Sequence, residues 1–376
     1  MNAEEILAKL VSFPVLGGES NLSIIHWIKD YLADHGVEGV LVPNEEGTKA
    51  SLHCRIGPAV SGGVILSGHT DVVPVEGQDW NTAPFELIDK GDENLYARGS
   101  CDMKGFAACC LAALPDMVKA GLKKPIYFAF SYDEEIGCLA INDYYDEKPQ
   151  FAIIGEPSMM IPTVGQKGIC IFETTVTGSE GHSSRIKQEV SAIHEAMRLV
   201  LWLEDKMNSL IGAGRTDDRF TPNHTSIHIG KIAGGIAPNV IAQECNFTWD
   251  VRTIPSETPQ EIFEEFETYC RIREAELRKI HPDFSISTSN IHPAVPGLDT
   301  HADQEIVALT KKLAEATTLD AVSYAAEAGQ FAEGGFEAII CGPGDIAQAH
   351  RANEFVAKEQ LDRCVQFMHN LVDHLA

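Results

Sequence analysis

The chain has 376 residues, 44% of them hydrophobic, and its 29 basic and 55 acidic residues give a formal net charge of −26. This length suits a large core and exceeds one typical domain, so we expect two domains. With a pI near 4.8, the chain does not offer the clustered Lys and Arg that phosphate contacts need, which argues against a nucleic-acid partner.

The amino-terminal segment and the cysteines bear on location. MNAEEILAKLVSF has the pattern of an amphipathic helix and lacks the basic region and cleavage-like segment of a secretory signal, so we expect a cytoplasmic protein. No apolar run reaches 18 residues, so no membrane partner is predicted. The ten cysteines form no C-x-x-C, which argues against a zinc ribbon or a thioredoxin-type motif.

The first part of the chain alternates strands and helices. Strands are predicted at Val64–Ser67, Pro125–Ser131 and Phe151–Ile154, and a helix is predicted to open after Asp102. This alternation is typical of an α/β domain with a mostly parallel mixed sheet flanked by helices. We expect residues 1–168 to form the first part of such a domain.

The middle of the chain has a different order of elements. The order is strand, helix, strand, strand, helix, strand, from the segments ICIFETTVTG, Glu189–Met207, HTSIHIG, CNFTWDVR, Pro259–Lys279 and FSISTSN. This is the order of the ferredoxin-like split unit, so we expect an inserted α+β domain at 169–287. Residues 288–376 return to the α/β pattern, with elements at Asp303–Glu315, Ala338–Cys341 and Lys358–Leu375.

Side chains that can bind a metal ion follow four of the apolar strand-like runs. They are His69 after GGVILSG, Glu134 and Glu135 after PIYFAFSYD, Glu156 after FAIIG and His350 shortly after EAIICGPG, with Asp102 in the intervening RGSCDMKG. The carboxyl ends of parallel strands meet at one crevice. If one residue of the Glu134–Glu135 pair is a ligand, the set has three carboxylates and two imidazoles without cysteine. Such a set suits two Zn²⁺ ions that share a bridge and keep open positions, which indicates metal-assisted hydrolysis.

Each candidate also has a simpler interpretation. Asp102 precedes the helical run MKGFAACCLAAL and can be a helix N-cap, and paired acidic residues such as Glu134 and Glu135 are commonly solvated. Adjacent residues of an extended segment point to opposite sides, however, so one can bind a metal ion while the other faces the reacting water. Asp71 is placed to accept the second ring N–H of His69 and to fix its tautomer.

Five segments resemble the signature motifs of a known family. HTDVVP, GSCDMKG, SYDEEIG, IIGEPS and AHRANEF are similar, in this order, to those of the dizinc aminoacylase/glutamate-carboxypeptidase-like metallopeptidases, which include succinyl-diaminopimelate desuccinylases and acetylornithine deacetylases. The resemblance spans nearly the whole chain. It implies a zinc-peptidase-like catalytic domain, formed by 1–168 and 288–376, and an inserted ferredoxin-like lid and dimerisation domain.

The resemblance also implies roles for the motif residues. His69 and Glu156 would hold one Zn²⁺ ion, Glu135 and His350 would hold the other, and Asp102 would bridge them, with Co²⁺ as a substitute metal. Asp71 would support His69, and Glu134 would be the general base.

In the inserted domain, the resemblance points to three further residues. His182 would reach the site from the partner subunit of a homodimer and stabilise the oxyanion. Asn239 and Arg252 would bind the substrate carboxylate. Without the resemblance, His182 would be interpreted as an exposed loop histidine and Arg252 as a surface charge.

The segment YAAEAGQF, with EAIICGPGDIAQAH after it, looks most like acetylornithine deacetylases. Glu327 fills the place of the Glu in their T-E-A-G type segment, where a carboxylate suits the distal ammonium of ornithine; the simpler interpretation is a helix-start glutamate. Two departures affect the choice of substrate: Ala326 replaces a common hydroxyl residue, and Arg351-Ala352-Asn353 replaces Lys/Gln-Pro-Asp.

The predicted activity is removal of the acetyl group from the small molecule Nα-acetyl-L-ornithine, a step of arginine biosynthesis. Desuccinylation, hydrolysis of another N-acyl-L-amino acid and dipeptide hydrolysis remain open. A metal-binding scaffold without turnover would be expected to lack Glu134 or a ligand, and none is missing from the sequence. A nucleotide-binding domain would need G-x-G-x-x-G or a P-loop after a strand, and neither occurs.

Overall fold

The computed structural model describes residues 1–138 and 149–376. The α-helices of these residues are α1 (Ala3–Val11), α2 (Leu22–Asp34), α3 (Lys104–Lys119), α4 (Ala192–Gly212), α5 (Pro259–Leu277), α6 (Glu305–Leu313), α7 (Ala328–Glu333) and α8 (Lys358–Leu375). The strands are β1 (Gly39–Pro43), β2 (Ala50–Ile56), β3 (Val64–His69), β4 (Ile88–Asp89), β5 (Asn94–Tyr96), β6 (Ile126–Ser131), β7 (Phe151–Pro157), β8 (Thr163–Gln166), β9 (Gly168–Thr177), β10 (Gly181–His182), β11 (Ser226–Gly234), β12 (Val240–Ile241), β13 (Glu244–Thr253), β14 (Ser285–Val295), β15 (Leu298–Asp299), β16 (Asp320–Val322), β17 (Glu337–Gly342) and β18 (Phe355–Ala357).

The chain divides into two compact units. Unit 1 comprises Met1–Gly165, Leu298–Ala321 and Ala326–Ala376, and unit 2 comprises Gln166–Gly297 and Val322–Ala325. The strand β14 crosses the expected domain limit at residue 287, because its pairing with β9 continues as far as Val295.

The sheet of unit 1 has the strand order β1-β2-β6-β3-β7-β17-β8-β15, with β16 paired to β8. Its four central strands, β6, β3, β7 and β17, are parallel to their neighbours within this group. Every residue of β3 and β6 is buried, as expected where helices cover both faces of a parallel sheet. The carboxyl ends of these four strands therefore lie at the same edge of the sheet.

The helix α3 follows the segment that contains Asp102 and packs against α1 and α8. It begins at Lys104, with Met103 at the N-cap position and no side-chain cap. Asp102 is therefore not the N-cap of α3, which leaves its carboxylate free for other contacts.

Unit 2 contains an antiparallel sheet with the order β11-β13-β9-β14. Along β13, buried residues alternate with more exposed ones, as expected for a strand with one face on a core. The core includes Trp249, whose ring lies 4.5 Å from that of Phe172 and 5.1 Å from that of Phe266 of α5. Helix α4 begins after Ser191, whose side chain accepts the N–H of His194, three residues later than predicted.

Among residues 1–138 and 149–376, no helix combines the length and the apolar character that a membrane span requires.

Gly155 of β7 is a position of close packing between the sheet and α3. A Cβ at this position would lie 2.0 Å from a ring carbon of Phe106, which is fully buried. We expect Gly155→Ala to lower the free energy of unfolding by about 1–3 kcal/mol through overpacking, measured by urea denaturation.

Gly212→Ala, at the end of α4, is the matched control, because nothing lies within 4 Å of the added Cβ. Its free energy of unfolding should be unchanged or slightly higher, since alanine favours helix more than glycine does. Equal destabilisation by the two substitutions would contradict the packing argument.

Candidate metal centre

The predicted metal-binding side chains lie at the carboxyl edge of the four parallel strands of unit 1. His69 ends β3, Glu134 and Glu135 follow β6, Glu156 lies near the end of β7, and His350 follows β17. Ligand sites of α/β sheets form at this edge. The structure therefore brings together side chains that are up to 281 positions apart in the chain, from His69 to His350.

Asp102 lies between the two histidines. Its Oδ1 is 3.0 Å from Nε2 of His69, and its Oδ2 is 3.3 Å from Nε2 of His350. Glu135 Oε2 is 2.9 Å from His350 Nε2, and Glu156 Oε1 is 3.8 Å from His69 Nε2. A carboxylate with one oxygen towards each imidazole has the arrangement that a bridging ligand needs.

Glu134 lies beside the same ligand atoms. One ligand atom each from His69, Glu134 and Glu156 lie within 4.8 Å of one another, as do atoms from His69, Asp102 and Glu135. The Oε2 atom of Glu134 is 4.0 Å from His69 Nε2. These distances alone do not separate a ligand from a general base, so the role of Glu134 stays a prediction.

Burial and mutual repulsion dominate the electrostatics of the cluster. Burial raises the pKa of Glu134 to about 8, with a further contribution from the carboxylates of Glu135 and Asp102. Burial also raises the pKa of Glu156 well above its usual value. Burial opposes protonation of His69, but its hydrogen bond to Asp102 and the nearby glutamates raise its pKa overall.

The donor set fits divalent cations. Crowded carboxylates disfavour one another's ionised form, and a cation among them would offset this repulsion. Oxygen and imidazole donors without a thiolate suit zinc and neighbouring metals. The five predicted ligands are thus chemically suited to hold two such ions.

Asp71 supports the cluster through atoms other than those predicted. His69 Nδ1 is 2.9 Å from the main-chain oxygen of Asp71, whereas the Asp71 carboxylate is 3.7 Å from it, beyond hydrogen-bond distance. The carboxylate instead accepts the N–H groups of Glu134 and Glu135, each at 3.2 Å. Residue 71 therefore fixes His69 through its main chain and the Glu134–Glu135 loop through its side chain.

Glu327 is a buried carboxylate of unit 1, and its predicted contact with a substrate ammonium stays a prediction. Glu327 is 1% exposed, and its carboxylate accepts a hydrogen bond from Ser67 Oγ at 3.0 Å and another from Ser131 Oγ. These hydrogen bonds hold the carboxylate inside unit 1, against β3 and β6. Glu327 immediately precedes α7, in line with the simpler interpretation of a helix-start glutamate.

His182, Asn239 and Arg252 belong to unit 2. The pairing of β10 with β12 sets His182 opposite Val240, next to Asn239 in the chain, and both His182 and Asn239 are exposed. Arg252 lies on β13 with its side chain 40% exposed, and its Nε is 3.6 Å from an oxygen of Asp250. The structure thus brings His182 and Asn239 together and puts Arg252 on a separate strand.

Comparison with known proteins gives the family of the chain. A profile described as peptidase family M20/M25/M40 matches residues 65–374. The chain belongs to this family. Among its relatives is the acetylornithine deacetylase of Myxococcus xanthus, which is 36% identical over 349 residues and aligns with 92% of this chain and 86% of its own length.

A second relative and a solved structure agree with this assignment to the family. The acetylornithine deacetylase of Salmonella paratyphi B is 31% identical over 385 residues, with 98% of this chain and 97% of the relative covered. A solved M20 family metallo-carboxypeptidase from Sulfolobus solfataricus has a TM-score of 0.77 at 16% identity, with 99% of each chain covered. The predicted α/β fold class, the family and the assignment as a metallohydrolase are confirmed at this level.

Two charged residues beside this M20 site were missed in the sequence analysis. Arg98 and Glu354 are each 1% exposed, and Arg98 Nη1 is 2.7 Å from Glu354 Oε2. Arg98 directly precedes the GSCDMKG motif, and Glu354 lies inside AHRANEF. Their charge and their positions within or next to two motifs could have marked both residues as candidates in the sequence. Their pairing across the chain could not have been predicted from it.

Asp102→Asn tests the bridging geometry. The amide keeps one oxygen acceptor and loses the negative charge, so we expect the zinc content after dialysis to fall from about two ions to one or fewer per chain. Elemental analysis measures the zinc, and circular dichroism checks the fold. The exposed Asp303→Asn is the control and should retain the wild-type content; two ions retained by Asp102→Asn would contradict a bridge.

Proposed function

We propose that this protein is a zinc-dependent amidohydrolase that removes the acetyl group from Nα-acetyl-L-ornithine, giving L-ornithine and acetate in arginine biosynthesis. The observation that carries the hydrolase assignment is the position of Asp102, with one carboxylate oxygen towards each histidine. The names of the relatives support the choice of substrate. Desuccinylation of succinyl-diaminopimelate and hydrolysis of another N-acyl-L-amino acid are the alternatives.

In this proposal two Zn²⁺ ions are the cofactors, with Co²⁺ able to substitute. The ligands are His69, Asp102, Glu135, Glu156 and His350. When bound, the ions supply polarisation of the amide carbonyl and a lower pKa for the attacking water. The protein supplies the fixed positions of these ligands, and Asp71 helps to hold them in place.

Glu134 is the residue that we assign to proton transfer. Its main-chain N–H is held by Asp71, and its Oε1 accepts a hydrogen bond from Cys138 Sγ at 3.2 Å. This leaves Oε2 towards His69 and the cluster. In the reaction, Oε2 takes a proton from the attacking water and delivers it to the nitrogen of the leaving amine.

The residues of unit 2 complete the proposal. His182, reaching the site from the partner subunit of a homodimer, would donate to the oxyanion of the transition state. Asn239 and Arg252 would bind the substrate carboxylate, since a guanidinium matches a carboxylate in a bidentate way. The exposure of all three side chains on unit 2 is compatible with these roles. We also propose that the protein acts in the cytoplasm.

The substrate is tested by comparing three donors. The zinc-loaded protein is assayed for primary-amine release from Nα-acetyl-L-ornithine, N-succinyl-L,L-diaminopimelate and N-acetyl-L-methionine, with and without a chelator. We expect the highest kcat/KM for acetylornithine and loss of activity with the chelator. A higher kcat/KM for another donor would overturn the substrate, and activity that survives metal removal would overturn the hydrolase mechanism.

Glu134→Gln separates base from ligand. The amide keeps the size of the side chain but cannot accept the proton, so kcat should fall by about 10²–10⁴-fold while bound zinc stays near two ions. Zinc content and kcat are measured on the same preparation. The exposed Glu86→Gln should change neither, and a parallel loss of zinc in Glu134→Gln would make Glu134 a ligand.

A further inference from the structure

The Arg98–Glu354 pair is an ion pair buried beside the candidate metal centre. Both side chains are 1% exposed, and Arg98 Nη1 lies 2.7 Å from Glu354 Oε2. Removing two charges from water costs free energy, so a buried ion pair is not by itself evidence that the pair stabilises the fold. The other hydrogen bonds of the two side chains indicate what the pair does.

Glu354 holds the main chain at Asp102. Its Oε1 accepts the N–H of Cys101 at 2.9 Å and the N–H of Asp102 at 3.1 Å. Two N–H groups on one carboxylate oxygen restrict the rotation of the peptide units on either side of residue 101, the second of which leads into Asp102. The direction in which the Asp102 carboxylate leaves the main chain therefore depends on Glu354.

Arg98 reaches the segment of His350 from the same pair. Its Nη2 donates to Gln78 Oε1 at 2.5 Å, and Gln78 Nε2 donates to the main-chain oxygen of His350 at 2.9 Å. Arg98 Nη1 also donates to the main-chain oxygen of Arg351 at 3.3 Å. The guanidinium carbon lies 5.2 Å from the centre of the Trp80 ring, a distance at which a cation and an aromatic ring attract.

The contacts of the pair are unevenly distributed over the cluster. They link the main chain at Asp102 to that at His350, and the hydrogen bonds described above for His69 involve neither Arg98 nor Glu354. In the proposed two-ion site both positions share Asp102, but only the position formed by Glu135 and His350 has contacts of the pair at a second ligand, so this position depends most on the link.

We infer that Arg98 and Glu354 are positioning residues that set the distance between Asp102 and His350, and so assemble the metal position formed by Glu135 and His350. This inference rests on the proposed two-ion site and is independent of the identity of the substrate. In this inference the pair acts through the main chain at Asp102 and His350 and is neither a metal ligand nor a catalytic group.

The test measures the affinity of each ion in Glu354→Gln and Arg98→Lys. Zinc is withdrawn from the zinc-loaded proteins by a chromogenic chelator, and the two dissociation constants are fitted. We expect one ion to bind about 10–100-fold more weakly, the usual effect of losing an outer partner of a ligand, and the other, which shares only Asp102 with the pair's contacts, to weaken by a clearly smaller factor. Arg98→Lys keeps the charge, so it covers the case in which Glu354→Gln fails to fold.

Glu195→Gln is the matched control, because Glu195 is also a buried carboxylate paired with an arginine, Arg273, and lies in unit 2. It should lower the melting temperature and leave both dissociation constants unchanged. Unchanged affinities in both variants of the Arg98–Glu354 pair, or equal weakening of both ions, would overturn the inference. A wild-type protein that binds fewer than two ions would instead overturn the proposed two-ion site.

Discussion

The concentration of carboxylates at one buried edge of a parallel sheet is the constraint on which the rest of unit 1 depends. Asp102, Glu134, Glu135 and Glu156 all lie where water is largely excluded. Such groups favour the neutral form unless a positive charge is near. The two histidines supply part of that compensation, and the donor set is arranged so that divalent cations can supply the remainder.

A second group of carboxylates fixes the segments that carry the first. Asp71 accepts the N–H groups of Glu134 and Glu135, and Glu354 does the same for residues 101 and 102. Asp133 accepts the N–H of Gly18 at 2.9 Å and pairs with Lys49. In each case an acidic side chain holds a loop by its main chain, which makes the ligand geometry less dependent on the flexible side chains themselves.

How much of the site could be predicted from the sequence depends on whether a feature has a local sequence pattern or arises from contacts between distant segments. A buried strand that ends in a ligand is a local pattern, so His69, Glu134, Glu135, Glu156 and His350 could be recognised at their strand ends. The oxygen of Asp71 that contacts His69, and the burial of Glu327, depend on side-chain rotamers and on contacts between distant segments. No local pattern encodes these. The end of β14 was missed because that strand is largely polar and exposed, so hydrophobic periodicity gives little signal there.

The interleaving of the two units along the chain has a consequence for biosynthesis. Residues 166–297 form most of unit 2 as one continuous stretch, whereas the parallel sheet of unit 1 lacks its fourth central strand until residues 337–342 have been made. Contacts between distant segments form slowly. We therefore expect unit 2 to fold on the ribosome first, and the metal-binding pocket to take shape only near the end of translation, when His350 has emerged.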